Sequence, residues 1–243
     1  MKKYILLKIT VTIAIIFCCF AAANARHSKV LIFSKTAGFH HASIPAGIAA
    51  IQKLGAENHF SVDTTTDSNL FTNDNLKKYA AVIFLNTTGD VLNNAQQKAF
   101  ENYIRNGGGF VGVHAATDTE YDWSWYGNLV GAYFKSHPKI QQATLEVVDH
   151  NFPGTKNLPD RWTRTDEWYN YKWIANDLHV LIKIDESSYK GGENDDNHPM
   201  CWYHNFDGGR AFYVEMGHTD ESYSEPPYLH LLLSGIKYAM HKH

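Results

Sequence analysis

The sequence predicts an α/β fold built on a mostly parallel, doubly wound sheet. Three observations carry this expectation. Near-continuous apolar runs occur at residues 30–33, 80–85 and 110–113, as strands buried on both faces require. Segments with apolar residues at helical spacing alternate with them, which is the rhythm of strand–helix–strand units. The triple glycine Gly107–Gly109 stops one such helix and leads into a strand that ends on His114. In a sheet of this kind ligands bind outside the carboxyl ends of the strands, so the residues that follow each run are the first place to look for chemistry.

The elements follow in order. The chain opens Met1-Lys-Lys-Tyr4, continues with a mostly apolar stretch over 5–20, and reaches Ala23-Asn-Ala25. A basic start, a short apolar core and a small-x-small site describe a cleaved signal peptide over residues 1–25. Export to the periplasm or outside the cell is therefore expected, with one domain over 26–243. The residues ahead of Cys18 and Cys19 lack the small pair that precedes a lipidated cysteine, which counts against a lipoprotein. Cleavage leaves Cys201 alone, so no internal disulfide can form, and its aromatic setting suggests a small buried residue.

Residues 30–33 read as the first strand. Residues 44–54 form a helix with Ser43 as cap before Pro45. Residues 60–63 form the second strand, Leu76 lies in a short helical turn, and 80–85 is the third strand. Residues 93–105 form an amphipathic helix before the 110–113 strand. From there the texture becomes aromatic. A helix is expected over 121–133, then strands over 143–148, 162–169, 179–184 and 200–203. Asp207-Gly-Gly-Arg210 reads as the turn of a hairpin to a strand over 211–216, and Pro226-Pro227 opens the last helix. These later strands extend one sheet more readily than they form a second domain.

Hydrophobic residues at 44% and charged residues at 19% are sufficient for a sizeable core. The net charge is -3 and no basic stripe is present, which excludes nucleic acid as the expected partner. No phosphate-binding glycine loop, His-Glu-x-x-His pair or Gly-x-Ser-x-Gly elbow occurs. What remains is a set of polar residues at strand ends: His40, His41, His114, Asp118, His137, Asp166, Glu167, His218 and Asp220. Imidazoles and carboxylates together can hold zinc or a similar divalent ion, or can move protons near neutral pH. His40, His114, His137 and His218 are the candidate metal ligands. His40, His114 and His218 lie far apart in the chain and are expected to meet at one crevice, with His137 and the Asp166–Glu167 pair at its rim.

Five motifs occur in a fixed order: Gly38-Phe-His-His-Ala-Ser-Ile44, Gly107-Gly-Gly-Phe-Val-Gly-Val-His-Ala-Ala-Thr117, Phe134-Lys-Ser-His-Pro138, Asp166-Glu-Trp-Tyr169 and Gly209-Arg-Ala-Phe-Tyr-Val-Glu-Met-Gly-His-Thr219. Together they resemble the ThuA-like family, named for trehalose utilisation, across nearly all of residues 28–240. The resemblance implies a flavodoxin-like three-layer sandwich akin to class I glutamine amidotransferases, and a link to carbohydrate use. Where those amidotransferases carry a nucleophilic cysteine, this chain reads Gly112-Val-His-Ala-Ala116. An imidazole is a poor substitute for a thiolate, so glutamine hydrolysis is not expected.

Two functions fit. In the first, the protein is an exported enzyme acting on a glycoside or keto-sugar by metal-assisted elimination, hydrolysis or isomerisation. His114, Glu167 and Asp166 are then the candidate catalytic residues, and His41, Asp118, Trp168, Tyr169 and Trp202 the candidate substrate contacts. Neighbouring strand residues point to opposite faces, so Asp166 and Glu167 cannot both line one cleft, which disfavours a two-carboxylate glycosidase. In the second, the protein is a non-catalytic carbohydrate-binding module whose tryptophans, among them Trp123 and Trp125, stack on sugar rings.

Overall fold

A computed structural model describes residues 28–241; the expected signal peptide lies outside the described residues. Among the described residues there are eleven strands: β1 Ser28–Phe33, β2 Phe60–Thr65, β3 Ala81–Leu85, β4 Gly109–Val113, β5 Ala132–Ser136, β6 Gln141–Val147, β7 Arg161–Asp166, β8 Asn170–Ile174, β9 His179–Asp185, β10 Pro199–Phe206 and β11 Gly209–Val214. The helices are α1 Ile44–Glu57, α2 Asn73–Leu76, α3 Asn94–Arg105, α4 Ser124–Val130 and α5 Pro226–Ala239. Nine strands form one sheet in the order β2-β1-β3-β4-β11-β10-β9-β6-β7. The first five are parallel, and β10, β9, β6 and β7 extend the sheet by antiparallel steps. The mostly parallel core and the α/β class are those read from the sequence.

The apolar runs sit where the pattern requires. β1, β3 and β4 are adjacent, and every residue of β3 and β4 is buried. Phe84 stacks on Phe100 of α3 at 5.4 Å, while the next residue, Leu85, faces Gly47 of α1. Alternation along one strand thus supplies both faces of the sheet with apolar side chains. Phe33, Phe71, Phe100, Phe110 and Tyr126 join Phe84 in one aromatic cluster on the α3 side. Each such ring contributes roughly 1.5–3 kcal/mol by leaving water.

Helix boundaries follow local chemistry. Asn93 caps α3 through its side chain and Gln96 answers back to the Asn93 N–H, a full capping box. Ser43 departs from its expected role. It makes no cap bond at α1 and instead donates to the Gly217 carbonyl at 3.0 Å while accepting from Asn86 Nδ2. The helix expected over 121–133 is shorter, because Gly131 ends it with φ +92. A Cβ at Gly131 would lie 2.5 Å from the Trp202 indole nitrogen, so packing as well as φ demands glycine there. Tyr133 consequently belongs to a strand. The strand read over 162–169 is also shorter: β7 stops at Asp166, and beyond residue 169 the chain forms β8, which pairs with β5 as a separate two-stranded sheet. The β10–β11 hairpin turns at Asp207 and Gly208, both with positive φ, as expected of this loop.

The antiparallel extension is what closes the site. Four strand steps separate β11 from β7, about 19 Å across a flat sheet. Yet the Asp166 carboxylate at the end of β7 lies 3.1 Å from the Gly217 N–H just past β11. The sheet therefore curls strongly, in the sense its twist allows, and carries the end of β7 back over the ends of the parallel strands. Among the described residues no helix is long and apolar enough to cross a membrane.

Candidate functional site

The carboxyl ends of β1, β4, β7 and β11 converge on one point. His114 is the first residue after β4 and is fully buried, with φ +48. A positive φ on a residue with a side chain is costly and clusters at functional turns. It aims the imidazole out of the sheet at the place where the amidotransferase-like elbow was expected. Gly112 makes this turn possible, since a Cβ there would meet Tyr213 at 2.9 Å and Ala116 at 3.1 Å. His114 Nδ1 donates to the Glu215 carbonyl at 2.7 Å. That bond orients the ring and leaves Nε2 facing the cluster, 3.3 Å from His218 Nδ1 and 3.5 Å from Glu167 Oε2.

His218 reaches the cluster from the loop after β11, and its Nδ1 lies 3.0 Å from Glu167 Oε2. Its backbone is set by Asp166, which accepts from the N–H groups of Gly217 and His218 and from Ser222 Oγ. His41, from the loop after β1, presents its ring edge-to-face to His114 at 4.9 Å and to His218 at 5.1 Å. One donor atom from each of His41, His114, Glu167 and His218 lies within 4.8 Å of the others. These four residues could hold a metal ion.

The electrostatics follow from burial and mutual proximity. Burial, reinforced by the charges of His114 and His218, pushes the His41 imidazole down to about 3. Burial opposes ionisation of Glu167, but hydrogen bonds and charge from His114 and His218 outweigh it and hold the carboxyl well below the usual range. Burial also depresses His218, yet the Glu167 carboxylate beside it brings the balance above the ordinary value. Asp118 is raised by burial. Glu215, fully buried and near Asp166, is raised strongly.

Over this cluster lies a cavity of about 240 Å³ lined by Phe39, His41, Asp118, Phe134, His137, Glu167, Tyr169 and His218. The candidates of the sequence divide against it. His114, Glu167 and His218 meet as expected. His41, expected to touch substrate, is among the four clustered donors. His40 is not: it is exposed, with Nδ1 3.2 Å from Thr36 Oγ1. The two imidazoles are adjacent in a loop that turns between them, so only one can face inward. His137 stands at the rim, 43% exposed and 3.0 Å from Glu167 Oε1, outside the group of four. Asp118 and Tyr169 line the cavity, and Tyr121 donates to Asp118 at 2.5 Å.

Three other expectations are corrected. Asp166 is fully buried and does not line the cavity; its carboxylate is spent on backbone N–H groups, Ser222 and Arg164. Trp168 and Trp202 are fully buried, and their indole N–H groups donate to the carbonyls of Gln141 and Val130. Both are core residues and offer no stacking face. Trp123 and Trp125 stack on each other, and Trp125 Nε1 donates to Asp207 in the β10–β11 turn, at the amino end of β11 and away from the cluster. Sequence reasoning also missed supports of the site: Glu215, whose carbonyl orients His114, and Asn86, which with Ser43 holds the Gly217 carbonyl.

Comparison with known proteins agrees with this architecture. The model of a family described as "ThuA: Trehalose utilisation" matches residues 29–239. No curated protein matches the chain. A ThuA-like protein of Bacteroides uniformis is 28% identical, with a TM-score of 0.75 over 89% of this chain and 92% of that one. A ThuA-like protein of Parabacteroides merdae is 20% identical, with a TM-score of 0.72 over 88% and 90%. A β-galactosidase of Rahnella sp. R3 shares the fold at 13% identity and a TM-score of 0.59, over 89% of this chain but only 31% of that enzyme. With the family model spanning almost every described residue, the chain belongs to the ThuA family, whose description, trehalose utilisation, points to a carbohydrate-related role.

Proposed function

We propose that this protein is an exported carbohydrate-active enzyme that holds a divalent metal ion on His41, His114, Glu167 and His218. Its substrate on this reading is a glycoside or keto-sugar, processed by elimination, hydrolysis or isomerisation. The observation that carries the reading is the convergence of three imidazoles and a carboxylate from four strand ends. The donor set fits such an ion. His41 Nδ1 is a buried nitrogen with no hydrogen-bond partner, His114 has its second nitrogen fixed by a carbonyl, and mixed nitrogen and oxygen donors suit zinc and similar metals. A bound ion would supply Lewis acidity toward a sugar oxygen or water.

The side chains themselves divide the remaining work. Glu167, held ionised by its neighbours, is a better ligand than a base, because a carboxylate of such low affinity for protons accepts them weakly. Asp118, raised by burial and facing the same cavity, is the better proton carrier, with Tyr121 fixing its orientation. Two carboxyl groups whose environments push them apart in this way commonly take opposite roles. His137 at the rim can pass protons to solvent. The aromatic walls of Phe134 and Tyr169 limit the water around the cluster. Burial of Trp168 and Trp202 removes much of the support for a stacking module without chemistry.

The test is turnover of a panel of glycosides and 3-keto-glycosides with and without chelator. Turnover that chelator abolishes and added metal restores is the expected result, with the His114→Ala protein inactive but folded. Sugar binding without turnover under any metal condition would favour the module, and full activity of His114→Ala would remove that residue from the mechanism.

A further inference from the structure

Phe39 is 64% exposed, the most exposed large apolar side chain among the described residues, and it lines the mouth of the cavity. A large ring left in water is informative where a scattered small one is not. Its position is not loose. Thr88 Oγ1 donates to the Phe39 carbonyl at 2.8 Å and accepts from the Gly38 N–H at 3.2 Å, while the Ala37 N–H donates to the Thr88 carbonyl at 2.7 Å. The ring also packs edge-on against His41 at 4.8 Å. A loop pinned to the end of β3 therefore presents a fixed aromatic face directly beside the buried donors.

The cavity behind it, about 240 Å³, lies below the usual range of about 300–1,000 Å³ for small-molecule sites. It has room for one sugar ring and not for two. We propose that the substrates are taken end-on: the terminal ring enters the cavity, and the second unit stacks on Phe39 outside it. This rests on the carbohydrate reading above. A preformed aromatic face binds without paying to order a side chain, so Phe39 sets preference for chain length and linkage while leaving the cluster untouched.

Calorimetric titration with glucose, trehalose and cellobiose tests this on the wild type, Phe39→Ala and Phe39→Trp. At least one disaccharide should bind the wild type more tightly than glucose. Phe39→Ala should weaken that disaccharide about fivefold more than it weakens glucose, the extra loss expected for one aromatic contact; Phe39→Trp should restore it. Equal loss for glucose and disaccharide, no loss for either, or equal affinity of the wild type for both would overturn the end-on mode while leaving the carbohydrate reading intact. If the wild type binds none of the three sugars, the end-on mode falls, and the carbohydrate reading is decided separately by turnover of the glycoside and 3-keto-glycoside panel.

Discussion

His41 carries the most informative single titration. Its folded value of about 3 lies below the 6.5 of an unperturbed histidine. Between those values the unfolded chain binds a proton that the native state refuses, so stability declines as pH falls through this window. From pH 7 to pH 5 the loss is about 2 kcal/mol, at 1.36 kcal/mol per unit below 6.5. His218, shifted upward, acts in the opposite sense, so the comparison must be with a variant rather than across residues. Melting curves in chelator should show His41→Gln losing less stability than wild type between pH 7 and pH 5; parallel pH profiles would mean that His41 is not held neutral. The same position shows a limit of sequence reading. His40 and His41 are chemically identical neighbours in an irregular loop, and no periodicity says which faces inward. The tryptophans pose a related problem: Trp168 and Trp202 have the composition of a sugar platform, and only packing shows that both are core.

The strands explain why so much else was legible. β1, β3 and β4 are apolar on both faces because helices cover both faces, and that constraint is written directly in residues 30–33, 80–85 and 110–113. His114 was legible for the same reason, as the first polar residue after such a run. β7 was harder. Its alternating pattern resembles any half-buried strand, and only the curl of the sheet shows that its last residue meets the loop after β11. Asp166 is the hinge of that meeting. It ties Gly217, His218 and Ser222 to β7 and faces Arg164 at 3.2 Å. Asp166→Asn replaces acceptor capacity with an N–H₂ group facing backbone N–H groups. Removing a partner from a buried ion pair is costly, and Arg164 keeps Glu225 as a second partner, so a loss of about 2–3 kcal/mol is expected. Denaturant titration should show that loss together with weaker metal binding. Loss of stability with metal affinity unchanged would confine Asp166 to a purely structural role.

At the scale of the whole molecule, a parallel half supplies His41 and His114, and a curled antiparallel half supplies Glu167. His218 leaves β11, the strand where the two halves join. The site exists only when both halves are folded against each other, which ties its integrity to global stability rather than to one motif. The four donors come from loops separated by tens of residues, so no local spacing announces them, and five modest motifs in order carried the family assignment where no single one could. If the proposed site is correct, these four donors share one ion. Anomalous diffraction at the zinc edge, on crystals grown with stoichiometric zinc, tests it most directly. One peak is expected among His41, His114, Glu167 and His218, at about 2.0–2.1 Å from the ligating nitrogens, absent in His114→Ala. A peak elsewhere, or none among these four residues in zinc-saturated crystals, would contradict it.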